Sequence, residues 1–194
     1  MAKIVNIEVS ARHIHLQEEH FKILFGKEAN LTPKRPLLQP GEFKAAEKVE
    51  VKGPKGSFKS VAIVGPFRSK TQLEVSFSDA KILGLAPPVR ASGDIEGSEG
   101  CKLIGPAGEL ELTQGVIVSQ RHIHMPVDEA RSLGIKDKDT VMVKVQTKER
   151  ALIFDDVLVR VGYNYVLSMH IDTDEANAAG CAGNVYGEII KKQE

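Results

Sequence analysis

Cysteine is nearly absent: Cys101 and Cys181 are the only two in 194 residues. That count excludes a disulfide framework and fits a reducing compartment. No apolar run approaches the ~20 residues that a membrane-spanning helix needs, and tryptophan does not occur. Charge of neither sign is in excess, with 26 Lys+Arg against 26 Asp+Glu. Such a balance argues against a general nucleic-acid binder, whose surface carries surplus basic charge. The opening MAKIVNIEVSARHIHL has the layout of neither a secretory signal nor an arginine-rich transit peptide. The expectation is a cytoplasmic protein that binds neither nucleic acid nor membrane. What is present is a hydrophobic fraction of 42%, enough for a buried core and too high for disorder. The length suits one domain or two small ones and falls short of a complete eight-fold β/α barrel.

The chain resembles itself. Residues 9–16 read VSARHIHL and residues 118–125 read VSQRHIHM, an offset of 109 from His13 to His122. A duplicated supersecondary unit is the natural reading. Each copy continues into a short helix-like stretch, Gln17 to Phe25 before Gly26 and Pro126 to Leu133 before Gly134. Proline suits a first helical turn and glycine a C-terminal cap. Val-rich runs follow, at 49–51 and 61–64 in the first half and at 141–145 and 157–161 in the second, bounded by turn residues such as Gly53-Pro54 and Gly65-Pro66. Short strands with few helices point to a mainly β protein of small barrels or sandwiches. The match ends with Glu74 laid over His170, Ala80 over Ala176 and Gly84 over Gly180, an offset of 96. The first half therefore carries about 13 extra residues, assigned to the Pro- and Gly-rich Ala29–Phe43 as a loop or small hairpin.

Alternate side chains of an extended strand share one face. Ile7, Val9, Ala11, His13 and His15 are expected to line up, as are Val116, Val118, Gln120, His122 and His124. Two imidazoles at i and i+2 can reach one ion, and zinc bound by His has Zn–N distances of about 2.0–2.1 Å. A catalytic zinc usually takes three protein ligands and keeps one position open. The repeat supplies the third: Glu74 beside His13 and His15, and His170 beside His122 and His124. The first set carries a formal charge of −1 and the second is neutral, which leaves its cation better suited to an anion or an activated water. Imidazole also suits iron, cobalt, nickel and copper. His20 is left as a surface or helix residue.

Arg68 lies six residues before Glu74, so the two would share a face on one strand; arginine is the favoured bidentate partner of phosphate. Arg90 is a second anion-binding candidate. Lys34, Arg35 and Lys55 are loop cations that gain interest only with a polyanionic ligand. The glycine-rich but acidic GDIEGSEG (93–100) reads as a turn. Neither cysteine has a histidine beside it in sequence, so both read as ordinary thiols.

SARHIHL, GPFRSKTQLEVS, PVRASGD, GVIVSQRHIHM and Met169-His170 together resemble the PduL-type phosphate acyltransferases, the phosphate propanoyltransferases, from about Ile4 to Gly187. The resemblance implies transfer of an acyl group, propanoyl or acetyl, between coenzyme A and phosphate. It implies two β-barrels with the active site at their interface: residues 1–11 with 120–190, and 12–119, with the insertion near 27–46. It implies two Zn2+ per chain. One, at His13, His15 and Glu74, would face the CoA sulfur. The other, at His122, His124 and His170, would be open to water or phosphate. Arg68 then binds phosphate, and Lys34, Arg35 and Arg90 are the cations available to CoA. A homodimer is implied as well. Relatives that enter bacterial microcompartments, as in propanediol degradation, often carry an amphipathic N-terminal extension. Here few residues precede the first β-like run, so the cytoplasm is the expected location and the microcompartment lumen the other. Two other readings share the HxH motif. A metal-dependent hydrolase or cupin-like metalloenzyme would use one HxH site with Glu19, and a structural metal module would use the histidines for stability alone.

Overall fold

The computed structural model describes residues 3–191. In chain order the elements are β1 (Lys3–Ser10), β2 (His13–His15), α1 (Glu18–Phe25), β3 (Pro33–Pro36), β4 (Phe43–Lys52), β5 (Ser57–Gly65), β6 (Gln72–Glu74), α2 (Phe77–Leu83), β7 (Val89–Arg90), β8 (Lys102–Ile104), β9 (Glu109–Glu111) and β10 (Val116–Ser119). They continue with β11 (His122–Pro126), α3 (Val127–Leu133), β12 (Thr140–Val145), β13 (Leu152–Gly162), β14 (Ser168–Asp172), α4 (Thr173–Ala179) and β15 (Val185–Ile190). The protein is mainly β with short helices, as its Val-rich runs imply. No helix among the described residues is long and apolar enough to cross a membrane.

The chain forms two compact units. One joins the segment ending at Ser10 to the segment beginning at Gln120; the other is Ala11–Ser119. In the first, six strands close a barrel in the order β1-β14-β11-β13-β12-β15. Its core includes Val5, Ile7, Ile123, Met125, Val159 and Met169. On β13 the inward residues are Phe154, Val157 and Val159, a spacing that strict alternation forbids. The register against β12 shifts between Val141 and Val143, and Asp156 stands at φ 50°. This bulge adds one residue and resets which face points inward; Asp is among the few residue types that tolerate positive φ.

The second unit is a curled sheet in the order β7-β10-β6-β2-β5-β4-β8-β9, with β3 paired to β4. Its own core includes Ile14, Phe21, Leu24, Val51, Ile63 and Leu73. Within residues 29–43, β3 runs antiparallel to the start of β4, with Pro36 opposite Phe43, so the proline-rich segment forms a small hairpin.

One expectation is corrected. The stripe Ile7-Val9-Ala11-His13-His15 is not one strand. β1 pairs with β14 and β15, whereas β2 pairs with β5 and β6, and the chain changes unit between Ser10 and Ala11. The second copy breaks likewise: β10 pairs with β6 and β7, β11 with β13 and β14. The break follows the repeat: Glu8 lies opposite His170, and Ile117, at the matching position of the second copy, lies opposite Glu74. Alternation in sequence ran through a point where the backbone leaves one sheet for another.

Candidate metal centre

Each HxH pair is a short strand between two partners, one parallel and one antiparallel. His13 lies opposite Glu74 on β6, and His122 opposite His170 on β14. Directly opposed residues of an antiparallel pair share a face with their Cβ atoms about 4.5–5.5 Å apart. Pairing alone therefore brings each third residue beside its imidazoles.

Helices fix the ends of the third-ligand strands. Ser76 caps α2, accepting from the Asp79 N–H, and Asp79 accepts in return from the Ser76 N–H. Asp172 and Glu175 repeat this box on α4. Gly84 (φ 78°) and Gly180 (φ 63°) end the two helices in the left-handed region, where glycine meets no steric cost.

At the first cluster, the ligand atoms of His13, His15 and Glu74 all lie within 4.8 Å of one another. His13 Nδ1 donates to the Ala11 carbonyl and His15 Nδ1 to the Val64 carbonyl, each at 3.0 Å. A carbonyl only accepts, so the neutral rings carry their lone pairs at Nε2. Those atoms stand 3.7 Å from the Glu74 carboxylate oxygens. Burial first, then His13 and Arg68, lower the His15 pKa to about 3, against the opposing pull of Glu74. Two ring nitrogens and a carboxylate thus converge on one point. Zinc ligands at about 2.0–2.2 Å in a tetrahedron are about 3.4 Å apart, so this set fits a cation with little movement. The carbonyl bonds at Nδ1 are the outer contacts that orient metal-binding imidazoles.

Glu74 is itself held. Its Oε1 accepts from Gln72 Nε2 at 2.6 Å and from the Ser92 hydroxyl at 2.7 Å. Ser92 accepts in turn from Arg68 Nη1 at 3.1 Å and from Gln72 Nε2 at 3.0 Å. Arg68 Nη2 pairs with Glu42 at 3.0 Å, and the Gly93 N–H donates to Gln72 Oε1 at 2.7 Å. Arg68 is not on a strand with Glu74, as even spacing implied. It lies in the loop after β5, because Pro66 cannot donate to a ladder. It reaches Glu74 through Ser92.

At the second cluster, ring centroids of His122, His124 and His170 lie 4.8–5.2 Å apart. His122 Nδ1 donates to the Gln120 carbonyl at 2.8 Å, the same device as at His13. Ser168 Oγ lies 3.1 Å from His170 Nε2. The Tyr165 ring sits 4.5 Å from that of His124.

The remaining candidates lie elsewhere. Lys34 and Arg35 are exposed on β3, and Arg90 is exposed on β7, 3.7 Å from Asp94. Glu19 is exposed on α1 and does not join the first cluster, which removes the carboxylate that a cupin-like reading needs. His20 bonds Thr71 Oγ1 at 2.8 Å. Burial pushes the Cys101 thiol up to about 12, with Glu111 adding to it, and raises Cys181 as well. Neither is a ready nucleophile. Sequence reasoning missed Gln72, Ser92, Glu42 and Tyr165. Gln72 was legible, two residues from Glu74 and so on its face; the others arrive through long-range contacts that leave no local signal.

Fold and site together define a duplicated, mainly β protein with an imidazole–carboxylate set suited to a metal ion. The profile of a known family, phosphate propanoyltransferase, matches residues 6–182. A phosphate propanoyltransferase of Thermotoga maritima is 51% identical over 173 residues, 89% of this chain and 82% of the relative. Those of Sebaldella termitidis and Leptotrichia buccalis are 49% and 48% identical, over 96% and 95% of this chain and 88% and 87% of the relatives. The chain belongs to the phosphate propanoyltransferase family and is an enzyme of this type.

Proposed function

We propose that the protein transfers a propanoyl or acetyl group between coenzyme A and inorganic phosphate by direct attack, with no acyl-enzyme. A phosphate oxygen adds to the thioester carbonyl carbon, the C–S bond breaks, and CoA leaves as the thiolate. The observation that carries this reading is the convergence of His13 Nε2, His15 Nε2 and the Glu74 carboxylate. His122, His124 and His170 are the second cation set. Cations bound at the two sets, zinc by the chemistry of the donors, would supply Lewis acidity toward the phosphate and toward the leaving sulfur.

The chain's own groups do the rest. Arg68 presents a guanidinium to phosphate and is braced by Glu42 and Ser92. Bracing matters because an arginine already held in place loses less freedom when the anion arrives. Ser92 and Gln72 hold the Glu74 carboxylate from behind. His13, His15 and His122 donate from Nδ1 to backbone carbonyls, leaving Nε2 as ligand atom. Lys34, Arg35 and Arg90 are the cations proposed for the CoA phosphates. We further propose a homodimer in the bacterial cytoplasm or a microcompartment lumen, organised as 1–11 with 120–190 and 12–119.

The test is metal analysis with a phosphate-dependent assay of CoA release. About two zinc ions per chain are expected, with release that requires phosphate. A fully active protein free of metal would sink the reading, as would CoA release indifferent to phosphate.

A further inference from the structure

We infer that Arg12 and Arg121, the arginines that precede the two HxH pairs, are positioning residues that set cation affinity, each at its own cluster. This inference rests on the metal reading above.

Each HxH strand enters its sheet just after the chain has changed unit. β2 is three residues long, and its start has no preceding strand of its own unit to hold it. Arg12 supplies the hold. Its Nη1 donates to Asp79 Oδ1 at 2.6 Å, and Asp79 is buried. The other oxygen of Asp79 accepts from the N–H of Ser76, two residues after Glu74. The guanidinium therefore ties the residue beside His13 to the turn that follows Glu74.

The second copy repeats this part by part. Arg121 Nη1 donates to Glu175 Oε1 at 2.7 Å. The other oxygen of Glu175 accepts from the N–H of Asp172 at 3.0 Å, two residues after His170. Both guanidiniums lie over a phenylalanine ring, Arg12 over Phe58 at 4.0 Å and Arg121 over Phe154 at 5.8 Å. Phe58 and Phe154 stand 96 residues apart, as do Asp79 and Glu175 and the two third-ligand positions. The two copies differ in the third ligand, carboxylate in one and imidazole in the other, and share the arginine clamp around it. A clamp that served only to hold the fold could sit anywhere on these strands. Both copies place it one residue before the first ligand and join it to the turn just after the third. A lost clamp lets the two strands part at the ligand end, which lengthens the reach each cation must span.

The experiment uses the full chain stripped of metal and reloaded with Co2+ alone. Dissociation constants come from competition with a chromophoric chelator, and the visible d–d bands report ligand geometry. Glu74→Gln and His170→Ala assign the bands to the two sites. Arg12→Gln is expected to weaken cobalt at the first site about 10-fold or more, and to leave the second within about twofold. Arg121→Gln should do the reverse. The lysine variants, which keep the charge, should recover part of each loss. Unchanged affinities and bands in both glutamine variants, with only a lower melting temperature, overturn the inference and leave a structural tie. Should a glutamine variant fail to fold, Arg12→Met or Arg121→Met, which also lacks the charge, is read in its place, and parental affinity there overturns the inference equally. A parent chain that binds no cobalt fails the metal reading itself, and this inference with it.

Discussion

Glu74→Gln separates charge from shape at the first cluster. The buried carboxylate takes two hydrogen bonds on Oε1, from Gln72 and Ser92, and a glutamine oxygen can accept both. The new amide would stand where Oε2 now lies, 3.7 Å from His13 Nε2, and can donate toward that lone pair. The metal-free fold should therefore lose no more than about 1 kcal/mol. Cation binding should suffer far more. Two unit charges 4 Å apart interact by about 4 kcal/mol at an effective dielectric of 20, so a dication gives about 8 kcal/mol. Retention of one oxygen ligand offsets about half of this. The remaining 3–4 kcal/mol, roughly, is about 10²–10³-fold in Kd. Competition with a chelator reads that number, and urea unfolding of the metal-free protein checks the fold. Parental affinity in Glu74→Gln would show that the carboxylate is no ligand and would refute the reasoning.

Arg68→Ala should lower phosphate-dependent turnover about 10²-fold or more, as loss of a positioned charge does, while cation content stays at the parental value; steady-state kinetics with varied phosphate checks it. At pH 8 an alkylating reagent should modify Cys181 ahead of the buried Cys101, and Cys101→Ala and Cys181→Ala should both keep phosphate-dependent CoA release. A burst of CoA without phosphate would instead reveal an acyl-enzyme. In the metal-free protein, His15 falls from its ordinary 6.5 to about 3 through burial first and its neighbours second. The unfolded chain then takes the proton near 6.5 and the folded chain only near 3. The stability contributed by neutral His15 is full above about 6.5 and declines by about 1.4 kcal/mol per pH unit as pH falls toward 3. Urea midpoints at pH 7, 6 and 5 on chelator-treated protein should fall in that order, and a flat profile would contradict it.

Much of the candidate site was legible because duplication is a linear signal. The doubled RHIH and the aligned Glu74 and His170 name six residues with no geometry at all, and in the fold His13 pairs antiparallel with Glu74 and His122 with His170. The β class was legible as well, since short Val-rich runs between Gly-Pro turns have few other fates. The face assignments were less so. Strand alternation is a rule about continuous strands, and nothing in VSARHIHL marks that Ser10 and His13 belong to different sheets. The inward residues of β13 escape alternation for a related reason, a bulge at Asp156.

The residues alone settle which donor atoms are on offer and in what order they recur, because composition and repetition are properties of the chain. Folding settles which of those atoms meet, and what surrounds them. Ser92 links Arg68 to Glu74 across long loops, Asp79 answers Arg12 over 67 positions, and burial keeps His15 neutral. Each is a contact between segments far apart along the backbone, and packing and desolvation exist only once those segments have come together.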